Sequence, residues 1–165
     1  MLLGLRAAIY PAPDLAGAKR LMTVLPMLAA ATGVISGGPV TSDMAQLVLA
    51  QLITDSSVGI VLCVEINGAD PTLSLLKKLQ RMDRTVVPGS ECHEWIDMNH
   101  PDYQIMTGRP AHFLRVWDAV WSSSTAVSVR AADHFDGTWA KFWTVHMVRG
   151  PSGWQIVSFH LDAEA

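Results

Sequence analysis

The chain has few cysteines, no excess of basic charge and no long uninterrupted apolar run. Two cysteines in 165 residues exclude a disulfide framework and a four-cysteine zinc site. Twelve basic residues against fifteen acidic ones leave a net charge of −3, which argues against a broad basic surface for nucleic acid. No stretch of about 18 apolar residues is free of Pro or Gly, so no transmembrane segment is expected. Aromatics are scarce at the start: Tyr10 is the only one before Trp95, and all six Trp and all four Phe lie at or after that position. Large aromatic rings dominate core burial, so the core must draw on the C-terminal half.

Half of the residues are apolar. A chain of this length suits one domain and can bury a core without disulfides or metals. Residues 1–42 are small, apolar and rich in Gly, Ala and Pro, and read as an N-terminal extension ahead of a single domain at 43–165. Within the extension, Lys19-Arg20 precedes an apolar run from Leu21 to Ala31, interrupted by Pro26. A basic pair, a short apolar run and small residues form the pattern of a secretory signal peptide. The alternative is a helix and linker beside the domain. The expected compartment is the cytoplasm, with export as the alternative if residues 19–31 act as a signal. Cys63 and Cys92 can pair in the exported case; in the cytoplasm both stay reduced and Cys63 is a buried apolar residue.

From Ser42 or Asp43 the spacing of Met44, Leu47, Val48 and Leu52 predicts a helix to about Ile53. The β-branched run Val58–Ile66 predicts a buried strand. Asp70-Pro71 opens a second helix to about Leu79, with Pro in its first turn. Val86–Gly108 is polar and turn-rich and reads as a long loop holding a short strand. Four strands follow, at 112–120, 125–135, 138–149 and 154–161, with Asp136-Gly137 as a two-residue turn. Helices first and an antiparallel meander last predict an α+β fold, the helices on one face of the sheet.

The Asp136-Gly137 turn pairs Phe135 with Thr138, which sets His146 opposite Val127 and Thr144 opposite Val129. A second turn pairing Arg149 with Trp154 sets His146 opposite Val157 and Thr144 opposite Phe159. The inward face then holds Val127, Val129, Phe142, Val148, Val157, Phe159 and Leu161, with His146 among them. Val127, Val129, Phe142, Thr144, Val157 and Phe159 are accordingly the expected ligand pocket. His146 is the candidate catalytic residue, because a buried imidazole titrates near neutrality. The plainer alternative is a core histidine bonded to a backbone carbonyl or to Thr144. The outward face holds Arg130, Trp139, Trp143, Trp154 and His160, with Arg130, Trp143 and His160 in one row. Exposed Trp beside Arg fits a partner interface; cation–π packing, or cover by another layer of the same chain, explains it as well.

The loop Glu91–His100 carries Cys92, His93 and His100, but no zinc spacing is met, so no metal site is expected. No phosphate loop, nucleophile elbow or H-E-x-x-H is present.

Two resemblances bear on function. The closing run Val145–His160, with Arg149-Gly-Pro-Ser-Gly-Trp154, is similar to the last hairpin of SnoaL-like and nuclear-transport-factor-two-like domains. The pieces Val61–Pro71 and Val87–Cys92 look like those of a related group of small uncharacterised bacterial proteins, so the resemblance spans residues 43–165. It implies a cystatin-like cone, helices packed on a curved antiparallel sheet. Gly4–Lys19, with Pro11-Ala-Pro-Asp-Leu-Ala-Gly-Ala-Lys19, resembles the start of a glyoxalase-like domain of the vicinal oxygen chelate superfamily. That family's first-strand metal ligand has no counterpart, since residues 5–9 hold no His or Glu, so no metal or cofactor is carried over.

Three functions are open. The first is a non-catalytic domain binding a small apolar ligand or forming a homodimer through the sheet. The second is a SnoaL-like enzyme with His146 as general acid or base on a small organic substrate. It would require a second polar residue, Asp118, Glu65 or His112, beside the substrate. The third is a remnant of a glyoxalase-like metalloenzyme.

Overall fold

The computed structural model describes residues 35–94, 100–136 and 139–164. The glyoxalase-like opening and the signal-like run at 19–31 lie outside the described residues. A short strand, β1 (Ile35–Gly38), is followed by α1 (Ser42–Asp55), β2 (Val61–Ile66) and α2 (Leu73–Leu79). Next come β3 (Thr85–Pro88) and two-residue strands β4 (Cys92–His93) and β5 (Tyr103–Gln104). Four long strands follow: β6 (Ala111–Ser123), β7 (Ala126–Asp136), β8 (Trp139–Gly150) and β9 (Gly153–Glu164). The class is α+β, with the two helices ahead of the C-terminal meander as the pattern predicts.

Local sequence explains each element. Along α1, Met44, Ala45, Val48, Leu49, Leu52 and Ile53 are buried, an apolar stripe recurring every three to four residues. Leu47 sits at its half-buried edge. The α2 helix begins later than Asp70-Pro71 predicts, because Thr72 is its cap and the Leu75 amide donates to Thr72 Oγ1 at 3.4 Å. The apolar run of β2 is buried on both faces. Leu62 and Val64 meet α1 and α2, while Val61 and Cys63 meet Val87, Ala111 and Phe113.

The sheet order is β3-β2-β6-β7-β8-β9, with β1 on the far end of β6. It is not antiparallel throughout. β2 runs parallel to both β3 and β6, whereas β6 through β9 form the expected antiparallel meander. Parallel neighbours need a crossover, and α2 supplies it between β2 and β3. The region read as a loop from Val86 thus begins inside β3 and contains β4 and β5.

The register of the meander corrects the expected faces. Asp136, not Phe135, closes the β7–β8 hairpin against Trp139, and a bulge follows between His134 and Asp136. Moving the closing pair by one residue keeps every side chain on its face. The bulge adds one unmatched residue, Phe135, and that reverses the faces. His146 consequently pairs with Ser128, Thr144 with Arg130, and Phe142 with Ala132. Arg149 does pair with Trp154, but a second bulge at Val157 sets His146 opposite Ser158 and Thr144 opposite His160.

The main core lies between α1, α2 and one sheet face. It holds Met44, Leu49, Ile53, Leu62, Leu114, Val129, Val145 and Met147, among others. A smaller cluster on the opposite face joins Val61, Cys63, Val87, Cys92, Ala111 and Phe113. Cys63 and Cys92 are disulfide-bonded, with Cα atoms 6.3 Å apart.

Candidate functional site

On the helix-covered face, the alternation that turns Leu114 and Val116 inward also turns His112 inward from β6. From β7, Asp133 follows Val127, Val129 and Ala131 to the same face. The two meet diagonally: His112 Nδ1 lies 2.8 Å from Asp133 Oδ1, and both residues are buried. A carboxylate only accepts, so Nδ1–H is the donor and Nε2 holds the lone pair of the neutral ring. Phe135 and Trp139 flank the imidazole, with ring centres at 4.6 and 5.4 Å.

His112 and Asp133 line a cleft of about 270 Å³ between the end of α1 and β8–β9. Leu52, Asp55, Ser56 and Ser57 form one side, and Trp139, Lys141, Trp143 and Phe159 form the other. Trp143 and Phe159 meet edge to face at 5.8 Å. The Lys141 ammonium sits 5.3 Å over the Trp139 ring and 3.3 Å from Glu164 Oε1. Gln51 donates to Asp55 Oδ2 at 3.0 Å, and Ser56 Oγ donates to the Leu52 carbonyl at 2.7 Å. The cleft is at the small end of ligand sites. Its lining combines aromatic walls with a titratable pair of fixed orientation, which suits proton transfer to or from a small molecule.

A second polar constellation occupies the opposite face and has a different character. Arg115 Nε donates to Glu65 Oε2 at 2.7 Å, and its two terminal nitrogens donate to Glu94 at 2.9 and 2.7 Å. The guanidinium lies 4.7 Å over the Phe113 ring. The hydrogen bond from Arg115, above all, holds the Glu94 carboxyl below its usual range; burial opposes it, and the charges of Arg115 and His134 add to it. Bonding to Glu94 raises the Arg115 pKa further, so the guanidinium stays charged. His134 Nδ1 lies 2.9 Å from Asp102 Oδ2 and 3.5 Å from Glu94. Gly89 has no room for a side chain, since a Cβ there would strike Glu65, with Oε1 at 2.7 Å. These contacts clasp Gly89, Glu94 and Asp102 to the sheet. Their geometry is that of a fastening, with Glu65 and Glu94 sharing Arg115 and Asp102 paired with the His134 ring.

The residues singled out by sequence divide between the two faces. Val127 and Val129 are core residues, and only Phe159 of the expected pocket lines the cleft. Phe142 and Thr144 lie on the opposite face, where Thr144 donates to Asp162 at 2.7 Å; Val157 is the unmatched residue of the β9 bulge and is 63% exposed. His146 is exposed and lies 2.9 Å from Ser128 Oγ, so the enclosed setting expected for it does not form. Of the expected interface, Arg130 and His160 are exposed in one row, with Thr144 between them in place of Trp143. Trp139 and Trp143 line the cleft, and Trp154 packs against Trp121 at 5.5 Å. Glu65 belongs to the Arg115 clasp, Asp118 sits in a β6 bulge with φ of 50°, and His112 is in the cleft. Cys92 is held in the disulfide, and the His93 ring lies tilted against Tyr103, with ring centres 5.3 Å apart. Among the described residues, no three His, Cys, Asp or Glu side chains are grouped to hold a metal ion.

The sequence pattern does not single out Asp133 or Lys141, although alternation along β7 alone puts Asp133 on the side of Val127 and Val129, whatever the register. An acid on the apolar face of a strand was the available signal. Among the described residues, no helix is long and apolar enough to cross a membrane. Comparison with family models, curated proteins and solved structures finds no match.

Proposed function

We propose that the protein acts on a small organic molecule held in the cleft, with His112 as general acid–base and Asp133 as the group that orients it. The buried 2.8 Å His112–Asp133 pair carries this reading. Asp133 fixes the ring so that Nε2 is the proton-transfer atom, and its charge stabilises the imidazolium that forms. This is the acid–base alternative drawn from the sequence, with the histidine supplied by β6 instead of β8. We read the fold as a cystatin-like cone of the SnoaL-like kind. The meander and the two helices on one sheet face support that reading, and the parallel β3–β2–β6 pairs depart from it. The Cys63–Cys92 disulfide favours an oxidising compartment, and so the exported alternative.

A panel of small cyclic ketones, alcohols and amines, followed by ligand-observed NMR, tests the site. Binders are expected whose signals are lost in H112Q and unchanged in H146Q. Among them, a carbon acid is expected to exchange its proton for deuterium roughly 100-fold faster with the native protein than with H112Q or D133N. A panel whose binders all ignore H112Q sinks the reading.

Homodimerisation through the sheet stands as a second reading. β9 is a 12-residue edge strand, and Val157 and Leu161 on it are exposed. Sedimentation is expected to show a dimer that V157K converts to monomer. A native protein that stays monomeric at its highest soluble concentration removes this reading.

A further inference from the structure

The charge balance of the cleft deepens the proposal. Four ionisable side chains line it: Asp55, His112, Asp133 and Lys141. Lys141 is matched by Glu164 and already lies over the Trp139 ring. Asp133 is hydrogen-bonded by His112, which brings a positive charge only when protonated. Asp55 has an amide neighbour, Gln51, which brings no charge. It also stands at the C-terminal end of α1, where the helix dipole is negative, and the last turn has no basic residue. Trp143 and Phe159 line the same cleft, and aromatic rings are walls that accept a cation. Acid, helix end and rings therefore favour positive charge in the same small volume.

We infer that the molecule taken by this cleft is an amine, protonated at neutral pH and attached to a compact apolar or aromatic body. The ammonium sits by Asp55 and the end of α1, and the body lies along Trp143 and Phe159 towards His112. This rests on the cleft being the ligand site, as proposed above. A carboxylate ligand would need Lys141 to leave Glu164 while its own charge faced Asp55, so it is disfavoured.

Three probes of one shape separate the outcomes: 2-phenylethylamine, 2-phenylethanol and phenylacetate, titrated by NMR and tryptophan fluorescence at neutral pH. The amine is expected to bind about tenfold more tightly than the alcohol, with phenylacetate weakest. D55N should reduce the amine's advantage to about threefold or less, since Asn is well tolerated at a helix end. Added salt should reduce it in the native protein, because Asp55 is exposed. Alcohol bound as tightly as amine, phenylacetate bound best, or an advantage that survives D55N each overturns the inference and leaves the cleft reading standing. If none of the three binds, and H112Q shifts no spectrum, both fall.

Discussion

Replacing Arg115 with methionine is expected to cost about 2–3 kcal/mol of folding stability at neutral pH. The guanidinium serves two carboxylates through three hydrogen bonds, to Glu65 and to both oxygens of Glu94. Methionine keeps much of the side-chain volume and removes the cation, so Glu65 and Glu94 are left partly buried without their partner. The three side chains are between 24% and 37% exposed, which puts the cost below that of a fully buried pair. The pH dependence separates this from lost packing. Glu94 is held below its ordinary value of 4.5, chiefly by Arg115, so the folded state favours the charged form. That contribution is fully present above pH 4.5 and is lost as pH falls through the lowered value. Chemical denaturation of the native protein and R115M should differ by a constant amount above about pH 6, with the gap narrowing below pH 4.5. A gap that does not change with pH would assign the loss to the Phe113 contact instead.

The parts of this fold legible in sequence are those with a strong local pattern. The stripe on α1, the apolar run of β2 and the four strands of the meander are each written in a window of a few residues. The pairs β2–β3 and β2–β6 join residues 24 and 50 apart, as in Val61–Thr85 and Val61–Ala111, and no local signal records them. The candidate site was half legible. The sequence pattern presents His112 only as a helper to His146, because the face of each strand follows from its neighbour across two turns. Each hairpin holds a bulge, at Phe135 and at Val157, and a single unmatched residue turns every later side chain over. Alternation within one strand is a shorter chain of inference. Used by itself, it puts His112 with Leu114 and Val116, and Asp133 with Val129 and Ala131. The Arg115 clasp could not have been read at all, since Glu65, Glu94 and Arg115 come from three segments joined only by the folded sheet.

Removing the disulfide is expected to have the larger effect on stability. Cys63 and Cys92 close a loop with a sequence separation of 29, and loop-closure entropy puts the loss at about 3–4 kcal/mol. Both cysteines are buried, so a C63A/C92A double variant also loses packing against Val61, Val87 and Phe113. The bond anchors β4, and with it Glu94, to the centre of the sheet, which is the segment that Arg115 holds from the other side of the same face. Two fastenings on one segment are coupled: once either is cut, the segment moves more and the other contributes less. The loss in the triple variant C63A/C92A/R115M should therefore be smaller than the sum of the two separate losses, by about 0.5 kcal/mol or more. Amide exchange should show the release locally, in β3, β4 and β5, before the meander opens. Protein purified without reductant is expected to show no free thiol, and two titratable thiols in the folded state would remove both the stabilisation and the case for an oxidising compartment.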